Sequence, residues 1–454
     1  MSAEFQLKKL YDVIELVVDN RGRNPKSYEE FGIPVIDNYL ITSVGEVRLS
    51  EVKRYIDDET YESFLRTHLQ EGDVLMTLVG NGYGKVATAP KEKSAIIQNT
   101  IGLRCDGHTD SLYLYYLLRD NREALMNLNR GAAQPSIKVG DVLDLEFQFP
   151  SLKKQQRVSK TFRSIDRKIE LNRQTNQILE QIAQAVFKSW FVDFEPTRAK
   201  IKAIENGQDP TRAAMAAIAG KTLVQLDTLR ADQIKSLIAT ADLFPDALEL
   251  SDLGEIPKGW GAGKLNDIAQ FSTGRVNVLN LSQETYVSTE NMLEGKKGIT
   301  IASSLPAVKT VPSFDAGHIL ISNIRPYFMK IWFARFQGGR SNDILSLEAK
   351  EASGTEYLYN LLYQDKFFDF MMKTSKGAKM PRGDKAAIMG WGCVHPGLDI
   401  KEAYSRHVGL FYKFIEVGKK ENKSLEQLRD TLLPKLLSGE IDLSEKKGDG
   451  EWLI

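Results

Sequence analysis

A chain of 454 residues is too long for one ordinary domain, and 42% hydrophobic with 26% charged residues is the balance of a globular protein. Sixty basic residues against sixty acidic ones leave no net charge, so any grip on nucleic acid has to come from a local basic face or in part from partner chains. Two cysteines, Cys105 and Cys393, exclude a disulfide framework, and no run approaches the roughly 20 apolar residues of a membrane span. With a start that mixes both charges (MSAEFQLKKLYDVIEL), this makes the cytoplasm the expected compartment, with no membrane partner.

Residues 1–150 read as a mixed α/β region in which polar and aromatic side chains gather around glycine turns. Arg21, Arg23 and Asn24 come first, then Asn81, Tyr83 and Lys85, then Gln98 and Asn99. Arg and Lys pair with guanine edges, and Asn and Gln with adenine, so these are candidate contacts to double-stranded DNA. Any one of them alone is more often what an ordinary surface loop carries. Gly80-Asn-Gly-Tyr-Gly-Lys85 is not a nucleotide cradle, because the Walker spacing fails and Val86 follows the lysine.

From Ser151 the pattern turns helical over residues 151–194. Phe162, Ile165, Ile169, Asn172, Asn176, Leu179, Ala183, Val186 and Trp190 recur at steps of three and four, the seam of a coiled coil. Some forty helical residues make a rod of about 60 Å. Its opening turns carry Lys153, Lys154, Arg157, Lys160, Arg163, Arg167 and Lys168, which fit either a phosphate-tracking face or a solvated one.

Residues 195–255 read as a partly helical linker with an alanine-rich patch at Arg212–Ile218, closed by helix breakers in Gly254-Glu-Ile-Pro-Lys-Gly-Trp260. Residues 256–400 form a second mixed region with its own polar clusters: Arg275 and Asn277, then Asn323, Arg325, Tyr327 and Lys330, then Arg340, Ser341 and Asn342. A second helix over 401–445 places Phe411, Ile415, Asn422, Leu425, Leu428, Leu432 and Leu436 on one face. Asn176 and Asn422 hold equivalent seam positions, where a buried Asn trades stability for register.

The two halves repeat each other. Gly131 matches Gly377, Pro135 matches Pro381, Pro150 matches Pro396, and Leu179-Glu180-Gln181 matches Leu425-Glu426-Gln427, all at an offset of 246. With gaps, Lys9–Val13 resembles Lys264–Ile268, and Gly72–Thr77 resembles Gly317–Ser322. The expected fold class is α+β: two α/β units in pseudo-twofold repeat, separated by two long helices that form an antiparallel coiled coil. No catalytic constellation accompanies it. There is no Asn-Pro-Pro-Tyr tetrapeptide, nucleophile elbow or His-Glu-x-x-His helix, and Cys393 with His395 lacks the partner pair a metal site needs.

Three phrases in this order carry a family resemblance: Phe187-Lys-Ser-Trp-Phe-Val-Asp-Phe-Glu-Pro196, Leu253-Gly-Glu-Ile-Pro-Lys-Gly-Trp260 and Leu432-Leu-Pro-Lys-Leu-Leu-Ser-Gly-Glu-Ile-Asp-Leu443. With them the chain resembles the specificity subunits of Type I restriction-modification systems over essentially its whole length. The resemblance implies a non-catalytic subunit whose two target-recognition domains each read half of a split DNA site. It implies helices that dock two methyltransferase subunits, and two motor-nuclease subunits in the full complex. No cofactor is then expected on this chain; S-adenosylmethionine, ATP and Mg²⁺ belong to the partners. The 195–255 stretch is longer than the resemblance leads one to expect. A rival reading is a recognition subunit of a Type II-like or methylation-only system, or a chain with a cryptic nuclease centre.

Overall fold

In each half of the chain, short apolar runs pair into a four-stranded antiparallel sheet, and the strand order is the same in both. The computed structural model describes residues 5–42, 45–80, 82–131, 135–377, 379–441 and 443. Ile14–Val18 (β1), Val74–Thr77 (β2), Val86–Thr88 (β3) and Thr100–Cys105 (β4) lie in the order β1-β4-β2-β3. Ala269–Phe271 (β5), Ile319–Ser322 (β6), Ile331–Phe333 (β7) and Ile344–Ala349 (β8) lie in the order β5-β8-β6-β7. Every residue of β2 and β6 is buried, which is why each reads as an unbroken apolar run rather than an alternating one.

A helix backs each sheet, Ser111–Asp120 in the first half and Thr355–Leu362 in the second. The first begins at Asp110, whose Oδ1 accepts the Tyr113 amide at 2.8 Å and satisfies one of the open donors of the helix start. Outside its main sheet the second half builds a further one from Arg275–Asn277, Tyr286–Val287, Thr310–Phe314 and Gly338–Arg340. The first half has there the short pair Ile33–Pro34 and Tyr55–Ile56.

The chain divides into two compact units, Met1–Leu171 with Glu421–Ile454, and Asn172–Lys420. Two 40-residue helices, Leu152–Phe191 and Leu398–Leu437, each contribute to both. Within the first unit they run antiparallel: Asp166 Oδ1 meets Arg429 at 3.0 Å, and three residues on, the Ile169 carbonyl accepts Asn422 Nδ2 at 3.2 Å. Within the second unit they are again antiparallel. Asn176 lies against Gly418, where a Cβ would stand 2.8 Å from its Oδ1, and the Ala183 carbonyl accepts the Tyr404 hydroxyl at 3.2 Å.

On the first helix Phe162, Ile169, Ala183 and Trp190 are buried, while Ile165, Asn176 and Leu179 are half-buried. On the second the buried stripe runs through Tyr404, Val408, Tyr412, Ile415, Asn422, Arg429, Leu433 and Leu436. It is therefore one residue away from the face drawn through Phe411 and Leu432, which with Leu425 are half-buried; Leu428 is exposed. Tyr412 goes inward because its hydroxyl finds Asn360 Oδ1 at 3.0 Å.

Residues 195–257 are folded and belong to the second unit. Helices Glu195–Glu205, Pro210–Ala219, Leu223–Leu226 and Ala231–Ala241 precede a hairpin of Leu248–Ser251 and Gly254–Pro257. The alanine-rich helix has clear punctuation: Asp209 Oδ1 accepts the Thr211 and Arg212 amides, Pro210 opens the first turn, and Gly220 closes it at φ 58°. Its Ala214, Met215 and Ile218 pack with Leu226, Ala241 and Phe244 in the cluster that holds Phe187, Trp190, Phe191 and Trp260.

Candidate nucleic-acid interface

The second strand of each copy, β2 or β6, leads into a six-residue turn that shares several bonds between the copies. Gly80 donates its amide to Pro135 O at 3.0 Å, and Arg325 donates to Pro381 O at 2.8 Å. Within the turn, Tyr83 N donates to Gly80 O at 3.0 Å, and Phe328 N to Arg325 O at 3.0 Å. The lysine that ends each turn is anchored: Lys85 Nζ donates to Ile41 O at 2.8 Å, and Lys330 Nζ to Thr289 O at 2.9 Å. A loop clamps each from the side, with Ile137 N on Leu78 O at 2.9 Å and Gly383 N on Asn323 O at 3.0 Å. The repeat seen in the sequence thus brings Gly80 onto Arg325 and Lys85 onto Lys330.

Both turns use left-handed backbone at their first and fifth positions. These are Gly80 (φ 89°) and Gly84 (φ 73°) in the first copy, and Arg325 (φ 50°) and Met329 (φ 48°) in the second. Glycine adopts that conformation without penalty, whereas for other L-residues it costs roughly 1–2 kcal/mol.

The remaining candidates fall into two groups. Exposed side chains include Asn24, Gln98, Arg275, Tyr327 and Asn342. Gln98 Nε2 donates to Asn24 Oδ1 at 3.1 Å, which brings two amides together, and Arg275 donates to Thr310. The others are tied into the scaffold. Arg21 pairs with Asp19 at 2.6 Å, Arg23 lies over the Phe64 ring, and Tyr83 packs against the first unit's core. Asn99 gives its carbonyl to Leu78 N, and Asn277 caps the turn at Leu279. Arg340 is buried and donates to the Ile344 and Ser272 carbonyls. Asn323 Oδ1 is buried and Ser341 Oγ likewise, neither with a hydrogen-bond partner among the described residues. Asn81 lies outside the described residues.

One anchoring residue went unseen in the sequence. Asn38 donates to Val79 O at 2.5 Å and accepts from Thr100 Oγ1 at 3.0 Å, holding the first turn's entrance between two strands. Nothing near it in sequence marks it, since both partners lie at least 41 residues away. Of the basic run on the first long helix, Lys154 lies over Phe5, Arg157 reaches Leu443 O at 3.4 Å and Lys168 pairs with Glu421. Lys160, Arg163 and Arg167 are exposed. Cys393 and His395 touch at 3.4 Å, but burial pushes the thiol up to about 12 and the imidazole below its ordinary value. Among the described residues no group of three or more His, Cys, Asp or Glu is placed to hold a metal ion. No described helix is long and apolar enough to cross a membrane.

The chain is thus a duplicated α/β unit that repeats one braced turn. Comparison with known proteins makes that class specific. Residues 3–181 match the family described as the Type I restriction modification DNA specificity domain. The specificity subunit of the Type I restriction enzyme HindI from Haemophilus influenzae is 26% identical over 82% of this chain and 87% of its own length. The MjaIX specificity subunit of Methanocaldococcus jannaschii is 23% identical over 97% of this chain and 94% of its own. The fold matches the S subunit of the Type-I restriction-modification system from M. genitalium with a TM-score of 0.54, over 96% of this chain and 97% of that one, at 15% identity. By these matches the chain is similar over most of its length to the specificity subunits of Type I restriction-modification systems, a family of DNA-recognition subunits without catalysis of their own.

Proposed function

We propose that this chain reads a bipartite double-stranded DNA target, with residues 1–150 recognising one half-site and residues 256–400 the other. The observation that carries this is the repeated turn: the same bracing bonds at its first and fourth positions, and the same anchoring of its lysine on a carbonyl, recur in two places whose side chains differ. A shared frame with different side chains is what two readers of different base sequences require.

In the same reading the long helices, 151–194 and 401–445, dock two methyltransferase subunits. Leu171, Ile178 and Ile182 on the first helix and Leu410, Phe414, Val417 and Leu428 on the second are exposed, which suits a covered surface better than a solvated one. Those subunits would hold S-adenosylmethionine. Two motor-nuclease subunits using ATP and Mg²⁺ complete a cytoplasmic complex, and Lys160, Arg163 and Arg167 remain available to a phosphate backbone.

Mapping methylated bases in a cell that carries the system tests the reading. A split target is expected. Replacing Asn24 and Gln98 with Ala should relax one half-site and leave the other unchanged, at about 1–3 kcal/mol for each bidentate pairing with a base that the substitution removes. A continuous target, or equal relaxation of both halves, contradicts it.

A further inference from the structure

We infer that Arg325 reads a guanine in the half-site of the second recognition domain. This rests on the proposed function and names the residue and the base within it. The first copy shows what the turn needs at this position: a residue in left-handed backbone whose amide reaches the clamping loop, and glycine supplies it at φ 89°. The second copy places an arginine there at φ 50°.

Two of the four described non-glycine residues with positive φ are the first and fifth positions of this turn, and they differ in what their side chains gain. Met329 packs against the core of the second unit, so burial offsets its backbone. Arg325 is exposed, and its guanidinium meets no acceptor or aromatic face among the described residues. Among the described residues its side chain gains no contact that offsets its conformation. Strain of this kind persists where the side chain is needed for something outside the fold.

The chemistry selects a base edge over a phosphate. A phosphate is served by any cation at an unstrained position, and Lys379 and Arg382 on the neighbouring loop are exposed already. A bidentate contact to guanine O6 and N7 needs the planar fork held in one place and orientation. The turn does this: its amides are bonded at Arg325 and Phe328, Pro326 fixes the next φ, and Gly295 and Lys296 donate to the carbonyls of Phe328 and Met329 at 2.9 Å each. Tyr327, 48% exposed, stands two residues on and offers an aromatic face beside the same edge.

The test uses the complex reconstituted with its methyltransferase partner, scored by methylation of variant targets, and thermal unfolding of the same preparations. Arg325→Gly is expected to raise the unfolding midpoint of the chain, because the strain is released. It should also lose discrimination at one G·C pair of the second half-site by about tenfold or more. Arg325→Asn, which tolerates the left-handed backbone, separates loss of the guanidinium from any effect of a new glycine. Arg325→Lys should keep affinity and lose discrimination.

Binding that weakens equally on all sequences, with the salt dependence reduced by about one charge, makes Arg325 a phosphate contact and overturns the inference. Unchanged discrimination overturns it too. A lowered midpoint in both Arg325→Gly and Arg325→Asn makes the residue structural and has the same consequence. None of these outcomes removes the split target of the unaltered complex. The absence of any split target, by contrast, would count against the broader reading.

Discussion

Replacing Asp166 with Ala is expected to destabilise the first unit by about 3–5 kcal/mol, enough to unfold a marginal domain. Asp166 is the centre of a network within that unit. Its Oδ2 accepts the Tyr116 hydroxyl at 2.8 Å and lies 3.3 Å from Arg119, and its Oδ1 takes Arg429 at 3.0 Å. The Arg119 and Arg429 side chains are only 14% and 10% exposed. Removing the carboxylate leaves two largely desolvated guanidinium groups short of their shared partner, and that loss is what makes breaking a buried pair severe. It also unfastens the helix Ser111–Asp120 from both long helices at one point. Asp166→Asn keeps an acceptor for the tyrosine and should lose less. Urea unfolding followed by fluorescence measures both variants. A shift below about 1 kcal/mol for Asp166→Ala would mean the network behaves as a solvated surface pair.

Much of the architecture was legible because it rests on local, periodic features. The repeat showed in Pro135 and Pro381 and in the paired Leu-Glu-Gln segments, and those prolines accept the amides that position the two turns. The long helices showed in a three-four spacing sustained over many turns. What escaped depends on partners distant in the chain. Phe411 and Tyr412 are adjacent and both apolar, as are Leu432 and Leu433, so the pattern alone supports two stripes; the partner Asn360 decides in favour of Tyr412. Lys85, Lys330 and Arg340 looked like donors for DNA, yet each is bonded to a backbone carbonyl of its own unit, at Ile41, Thr289 and Ile344. A cation's sequence neighbourhood does not reveal such an engagement. The Asp166–Arg429 pair spans 263 residues and could not be read from either helix alone.

A matched insertion of four residues in both long helices, after Leu171 and after Lys420, is expected to lengthen the gap between the half-sites by one or two base pairs and leave both half-sites unchanged. The location follows from the packing. The insertion points fall at the boundary of the two units, past the Ile169–Asn422 bond of the first and before the approach of Asn176 to Gly418 in the second. An insertion at this boundary spares the apolar core of each unit, whereas one near Trp190 and Phe191 would pull buried aromatics from theirs. Four helical residues add about 6 Å and a net turn of about 40°. One base pair adds about 3.4 Å and about 35°, so length asks for nearly two pairs and rotation for about one. The two demands nearly agree, which is why four residues should be tolerated. Seven residues add about 10 Å, close to three base pairs, but turn the helix by about −20° while the DNA turns by about 100°. That variant should lose most of its methylation, although it preserves the heptad. Methylome mapping of both variants gives the answer. Equal activity of the four- and seven-residue variants on the original gap would show that helix length does not set the spacing, and altered half-sites in the four-residue variant would show that the helices themselves take part in reading bases.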